Sequence, residues 1–197
     1  MNFILGSASP RRRDILREFF DPIEIVHPSI DESVYPGETP ESFVSRISGE
    51  KMNSVLSQIS YTENFTAVTS DTIVAIDNLI LGKPESLSSA VDMLKLLSGR
   101  EHRVLTGLSL YTGNAEDGKE LSGLESTSVF FKNLDSETIN RYLSIVDYSD
   151  KAGSYAIQEY GDMLVESING SVTNVIGFPL RLFFSLLQKG NLSSLLL

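Results

Sequence analysis

The sequence predicts an α/β protein built on a mixed, twisted β-sheet flanked by helices. Two observations carry that prediction. Helical patterns alternate with β-rich runs along the whole chain, which is the pattern of βα units and parallel pairing. Short turn dipeptides, Asp77-Asn78 and Asn169-Gly170, also join neighbouring runs, which is the pattern of antiparallel hairpins. With 197 residues, 41% of them hydrophobic, the chain can bury one sizeable core. No repeat or low-complexity block divides it, so one domain over 1–197 is expected.

The elements follow in order. Phe3-Ile4-Leu5 reads as a strand. Ser9 as N-cap and Pro10 at the first helical position open a helix with Ile15, Leu16, Phe19 and Phe20 inward. Ile23 to His27 is a short strand, followed by a loop through Pro36-Gly37. Thr39 and Pro40 start a long helix. Its stripe Phe43, Ile47, Val55 and Ile59 steps by four or eight, and Lys51 fills the missing step, either snorkelling to water or serving a ligand. Residues 67–76 form a buried strand that turns at Asp77-Asn78 into Leu79-Ile80-Leu81. Ser88 to Leu97 is an amphipathic helix stopped by Gly99. Strands over Val104 to Tyr111 and Leu124 to Phe131 are joined by a hairpin loop, Thr112 to Lys119. Asp135 caps a helix with Ile139, Tyr142, Leu143 and Val146 on one face. Asn169-Gly170 is read as a hairpin turn between Met163 to Ile168 and Ser171 to Ile176. Pro179 opens a last helix facing inward through Leu180, Phe183, Phe184 and Leu187.

Composition excludes several classes. A net charge of -10 and a pI near 4.6 argue against a nucleic-acid or anionic-membrane surface, which needs a broad basic face. The absence of cysteine excludes disulfides, thiol catalysis and Cys-ligated metals, and fits a reducing, cytoplasmic setting. No basic leader and no 18-residue apolar run occur, so a soluble, untargeted chain is expected. The G-x-x-x-x-G-K-[ST], G-x-G-x-x-G and G-x-S-x-G motifs are also missing.

Residues 7–13, S-A-S-P-R-R-R, place Arg11, Arg12 and Arg13 at a helix N-terminus. Dipole, backbone donors and guanidinium groups converge there on a phosphate site, the alternative being a solvated basic turn. Asp71 interrupts a β-branched strand, where an unpartnered carboxylate is costly. A lysine or metal ion would hold it ionised; otherwise it is a strand-end aspartate bonded to nearby backbone. Pairing Ile76 with Leu79 places Thr72 opposite Lys83, one ladder step from Asp71. Asp31-Glu32 are hard-oxygen ligands of the kind Mg²⁺ prefers, unless they are merely solvated. His27 and His102 have no zinc-ligand spacing. Asp150-Lys151-Ala152-Gly153 and Gln158 lie in a polar segment whose glycine permits close ligand approach; the residues alone do not separate it from an ordinary turn.

The ordered set S-A-S-P-R-R (7–12), the acid pair 31–32, G-E-K (49–51), S-D-T-I-V (70–74), G-K-P (82–84), L-S-G-R-E-H-R-V-L-T-G (97–107), D-K-A-G-S-Y-A-I-Q (150–158), N-G-S (169–171) and N-V-I-G-F-P-L (174–180) resembles the Maf family of nucleoside triphosphate pyrophosphatases. That family is structurally related to the inosine triphosphate pyrophosphatases, and the resemblance covers almost the whole chain. It implies hydrolysis of a nucleoside triphosphate to the monophosphate and pyrophosphate, with a divalent metal, Mg²⁺ or Mn²⁺. Asp71 matches the proton acceptor, and Arg11, Thr72 and Gln158 match positions linked to base preference. Their combination looks like the dTTP- and UTP-preferring branch rather than the one acting on 7-methyl-GTP. Glu32, Lys51 and Lys83 match polar cleft positions whose chemistry suits metal and phosphate. With these go Ser9, Arg12 and Lys151 as substrate-binding candidates, and Glu32 with Asp71 as metal ligands. Asp71 either accepts a proton or orients a metal-bound water. The resemblance also implies a homodimer. Its rivals are a nucleotide-binding regulator of septum formation with little turnover and a house-cleaning enzyme for modified nucleotides. Glu159, Tyr148 and Val172 depart from the common pattern, which bears on substrate choice rather than reaction class.

Overall fold

The computed structural model describes residues 2–60, 63–114 and 117–192. Seven strands hydrogen-bond in the order β2 (Ile23–Ile25), β1 (Asn2–Gly6), β3 (Phe65–Ile76), β5 (Glu101–Gly113), β6 (Gly118–Phe131), β7 (Val165–Asn169), with β4 (Leu79–Leu81) attached to β3. The pairing is mixed, as the alternation of βα units and hairpins requires. The chain divides into two compact units.

One unit comprises residues up to Asp71, Thr106–Glu125 and the chain from Gly177 on. Here β1 (Asn2–Gly6) runs parallel to β2 (Ile23–Ile25) and to the start of β3 (Phe65–Ile76), with Leu5 opposite Ile25 and Val68. Alternation along β1 separates two apolar layers. Phe3 and Leu5 join Leu16 of α1 (Pro10–Arg17) and Phe183 of α6 (Leu180–Lys189); Ile4 joins Met52 and Val55 of α2 (Pro40–Leu56). Phe3 stacks on Phe20 at 3.9 Å, with the Phe183 ring edge-on to both. Gly107 of β5 (Glu101–Gly113) lets α2 come close, since a Cβ there would meet the Val44 carbonyl oxygen at 2.1 Å. The α2 helix ends before Ile59, so the apolar stripe closes at Val55. Thr39 caps it, its side chain accepting from Ser42 N–H at 3.2 Å.

The other unit comprises Thr72–Leu105 and Ser126–Ile176. The end of β3 turns through Asp77 (φ 49°) and Asn78 (φ 66°) into β4 (Leu79–Leu81), pairing Ile76 with Leu79 as expected. Its core joins Ala90, Leu94 and Leu97 of α3 (Leu87–Leu97) to Ile139, Tyr142 and Leu143 of α4 (Ser136–Ile145), over Val74, Val104 and Phe131. β6 (Gly118–Phe131) pairs antiparallel with β7 (Val165–Asn169). β5 and β6 are longer than the sequence suggests. The hairpin loop expected at Thr112 to Lys119 contains residues 115–116, which lie outside the described residues.

Three local expectations are corrected. Asn169-Gly170 is not a hairpin turn. β7 ends at Asn169, Gly170 takes φ 137°, and α5 (Val172–Ile176) follows, because the Ser171 side chain caps it by accepting from Asn174 N–H at 3.3 Å. Ser9 occupies the N-cap of α1, but its side chain makes no cap bond; its own N–H donates to Ser7 Oγ at 3.1 Å. The β3–β4 ladder stops at Leu81. The Gly82 carbonyl instead accepts from Gly153 N–H at 3.1 Å, so the register that would place Lys83 beside Asp71 is never reached, and Lys83 is exposed.

Candidate active site

Lys51, on the buried stripe of α2, is not a snorkelling lysine. Its Nζ donates to Asp71 Oδ1 at 2.7 Å and lies 2.7 Å from Glu32 Oε1. Asp71 is 7% exposed and Lys51 8%, so this ammonium is the partner that the strand carboxylate required.

Glu32 reaches Lys51 from a loop that has no regular structure of its own. Asp31 turns the loop by accepting from Ser33 N–H at 2.9 Å and Ser33 Oγ at 2.6 Å, bonds that pull its carboxyl below the usual range. Arg46 of α2 then clamps it. Nε and Nη2 donate to the two Glu38 oxygens at 2.7 and 2.8 Å, and Nη2 also donates to the Ser33 carbonyl at 2.9 Å. Nη1 reaches Glu50 at 3.2 Å, and the guanidinium stacks 3.9 Å over the Tyr35 ring. The Arg46 bond drags the Glu38 carboxyl down to about 2. Sequence reasoning missed Arg46. Its spacing to Glu50 is readable at i,i+4, but Glu38 and Ser33 lie across the helix cap and only the fold returns them.

The arginine cluster splits into different jobs. Arg12 Nη1 donates to the Ser70 carbonyl at 2.8 Å and to Ser7 Oγ at 3.2 Å, and Nε donates to the Gly177 carbonyl at 2.9 Å. Burial lowers its proton affinity, opposed by the nearby charges of Asp71 and Glu32. Arg12 therefore ties the ends of three chain segments together beside Asp71. Among the described residues Arg13 pairs with its neighbour Asp14, at 3.4 Å in an exposed position. Arg11 is half-buried at the start of α1, and Ser9 sits half-buried just before it.

In the second unit Lys151 is 5% exposed and pinned by the Asp147 carbonyl, Asp150 Oδ1 at 2.9 Å and Glu159 Oε1 at 3.4 Å. Tyr142 holds the same segment: its hydroxyl accepts from Ala156 N–H at 3.0 Å and donates to the Ala156 carbonyl at 3.3 Å. Tyr155 OH bonds His102 Nε2 at 2.9 Å, and burial depresses His102 to about 4. Gln158 is thereby presented in an exposed turn, two residues after the Tyr142 clamp, and Thr72 is half-buried on β3. Gly153 has φ 67°, and a Cβ there would strike Val74 at 2.9 Å. Its left-handed backbone and its close approach to Val74 both require glycine at this position.

Two carboxylates on one cation position suit Mg²⁺ or Mn²⁺, which use one or two carboxylates and take substrate phosphates as further ligands. Among the described residues no group of three or more His, Cys, Asp or Glu side chains forms a complete metal cage. Glu32 and Asp71 are two carboxylates that could hold such an ion together with further donors. Among those residues, too, no helix is long and apolar enough to cross a membrane.

The mixed α/β sheet carries an Asp–Lys–Glu cluster beside an arginine-clamped loop, and residues 2–190 of the chain match the family described as Maf-like protein. The chain belongs to the Maf-like protein family. A dTTP/UTP pyrophosphatase of Clostridioides difficile (strain 630) is 44% identical over 96% of this chain and 95% of that one. Another, of Pyrococcus abyssi (strain GE5 / Orsay), is 41% identical over 95% of each. A third, of Neisseria meningitidis serogroup B, is 39% identical over 93% and 91%.

Proposed function

We propose that this protein hydrolyses dTTP and UTP to the monophosphate and pyrophosphate. The observation that carries the reading is Lys51 bridging Asp71 and the exposed loop residue Glu32, with Lys51 and Asp71 buried between helix and strand, an ion pair for which stability alone gives little reason. The names of relatives 39–44% identical over nearly the full chain support it.

The roles follow from the chemistry. A triphosphate carries about four negative charges, so the reaction needs fixed cations and a prepared water. Arg11 and Lys51 neutralise phosphate oxygens, and Arg12 holds the Ser70–Asp71 backbone at its station. Asp71 Oδ1, paired with Lys51 in the substrate-free protein, is the oxygen that would face a metal, and Oδ2 accepts the proton of the attacking water. A divalent metal held by Glu32 and Asp71 would supply Lewis-acid charge to the phosphate oxygens. Arg11, Thr72 and Gln158 set base preference, Lys151 fixes the segment that ends in Gln158, and Lys83 and Ser9 stand as further phosphate contacts.

The experiment is pyrophosphate release from a panel of canonical and modified triphosphates, with Mg²⁺ and with a chelator. Pyrophosphate and monophosphate from UTP and dTTP, abolished by chelator, are expected. Release of orthophosphate and diphosphate would overturn the reaction class, and absence of turnover would leave a binding protein.

A further inference from the structure

We propose that, in the substrate-free protein, Lys51 occupies the cation position between Glu32 and Asp71 and releases it only when phosphate arrives to take its ammonium. The proposal rests on the reading of Glu32 and Asp71 as the metal-holding pair. Two observations carry it.

The first is geometric. Lys51 Nζ stands 2.7 Å from one oxygen of each carboxylate, so a single ammonium already fills the point where both converge. Its stem comes from a helix stripe whose neighbours Ile47, Met52 and Val55 are buried, which directs the head toward the two acids. A divalent ion bound by both carboxylates needs closer oxygens, about 2.0–2.1 Å for Mg²⁺, and cannot share that point with an ammonium.

The second is the charge count. Lys51 pairs with both acids, and Arg12 feels the charges of Asp71 and Glu32 as well. Arg12 feels Arg11 too, so three cations face two anions and the cluster already carries one net positive charge. A free divalent ion would raise that excess to three in a half-buried setting, whereas a metal–triphosphate complex brings its own negative charge. The geometry points to synergy: free metal is held off by Lys51, and phosphate draws Lys51 away from the carboxylates as the metal enters. Hydrolysis is then confined to metal-loaded nucleotide.

The test is Mn²⁺ binding read by electron paramagnetic resonance, with and without an α,β-imido analogue of UTP that cannot be cleaved at the reacting bond. In the wild type, the analogue should tighten Mn²⁺ at least about tenfold. Lys51→Met should bind free Mn²⁺ at least about tenfold more tightly than wild type and lose most of that coupling. Free Mn²⁺ binding to a folded Lys51→Met protein that is equal to or weaker than wild type overturns the proposal, as does a wild type whose Mn²⁺ affinity ignores the analogue. Lys51→Gln serves if Lys51→Met does not fold. Glu32→Gln separates the two readings: Mn²⁺ affinity unchanged by that substitution removes the metal-holding pair itself, whatever Lys51 does.

Discussion

Arg12 donates to the carbonyl of Ser70 at 2.8 Å, one residue before Asp71, and the same guanidinium holds the Gly177 carbonyl at 2.9 Å. The second arginine of the S-A-S-P-R-R run is therefore a brace for the strand that carries the candidate base. Arg12→Ala leaves buried carbonyls without their donor and should destabilise the fold by about 1–3 kcal/mol, while Arg13→Ala stays within about 0.5 kcal/mol. Urea denaturation of both variants checks this; equal small effects would return the cluster to a solvated turn.

Asp71→Asn keeps the shape of the side chain, and its amide oxygen can still accept from Lys51. The variant should fold with near-wild-type thermal stability and lose about a hundredfold or more in kcat, the usual size of a general-base contribution. Single-turnover pyrophosphate release measures it. A folded variant of normal kcat would make the Lys51–Asp71 pair purely structural.

The Arg46 clamp has a pH signature. Glu38 is depressed from 4.5 to about 2 by Arg46, so the stability it confers is present above pH 4.5 and is lost as pH falls toward 2. The stability difference between wild type and Arg46→Met should therefore be constant near neutrality and shrink progressively below pH 4.5. Because the same clamp holds the loop that carries Glu32, Arg46→Met should also weaken Mn²⁺ binding. A variant whose metal affinity matches wild type would separate the clamp from the site.

His102 gives the opposite residue type with the same sign. Its folded value of about 4 lies below the ordinary 6.5, so the unfolded chain binds the extra proton first, and stability falls as pH drops from 6.5 to 4. Full protonation of the unfolded state costs up to about 3 kcal/mol by the size of that shift. Chemical denaturation at pH 7 and pH 4.5, in wild type and His102→Gln, should show the loss only where the imidazole is present.

The base preference proposed here is assigned to Gln158, whose amide can pair with the O4 and N3–H edge of uracil or thymine. The Lys151–Glu159 contact at 3.4 Å and the Tyr142 clamp on Ala156 fix the backbone on either side of it. UTP and dTTP should exceed CTP by at least about tenfold in kcat/KM, and Gln158→Glu should compress that ratio. CTP or a methylated purine nucleotide as the best wild-type substrate would overturn the base assignment and spare the reaction class.

What the sequence determined by itself is local. Alternating βα patterns, Pro10 and Pro40 at helix starts, and Asp77-Asn78 in a left-handed turn are fixed by backbone preferences within a few residues, and each is found where the residues place it. Composition likewise excluded whole classes of chemistry, because charge and cysteine content need no fold to be counted. Asn169-Gly170 shows the limit even of local reading: the pair suits a hairpin, but the Ser171 cap favours a helix and prevails. Tertiary structure decided everything that depends on pairs distant in the chain. Lys51 could have faced water or a ligand until the fold set it against Asp71, twenty residues on, and Glu32, nineteen residues back. Arg12 reads from sequence as a phosphate contact, and only the fold brings Ser70 and Gly177 within reach of its planar fork. Lys83 fell out of the expected register because Gly153 claimed the carbonyl of Gly82, more than seventy residues from it along the chain. Such partners are selected by competition among all buried donors and acceptors for satisfaction, and that competition is settled only once the whole core has packed.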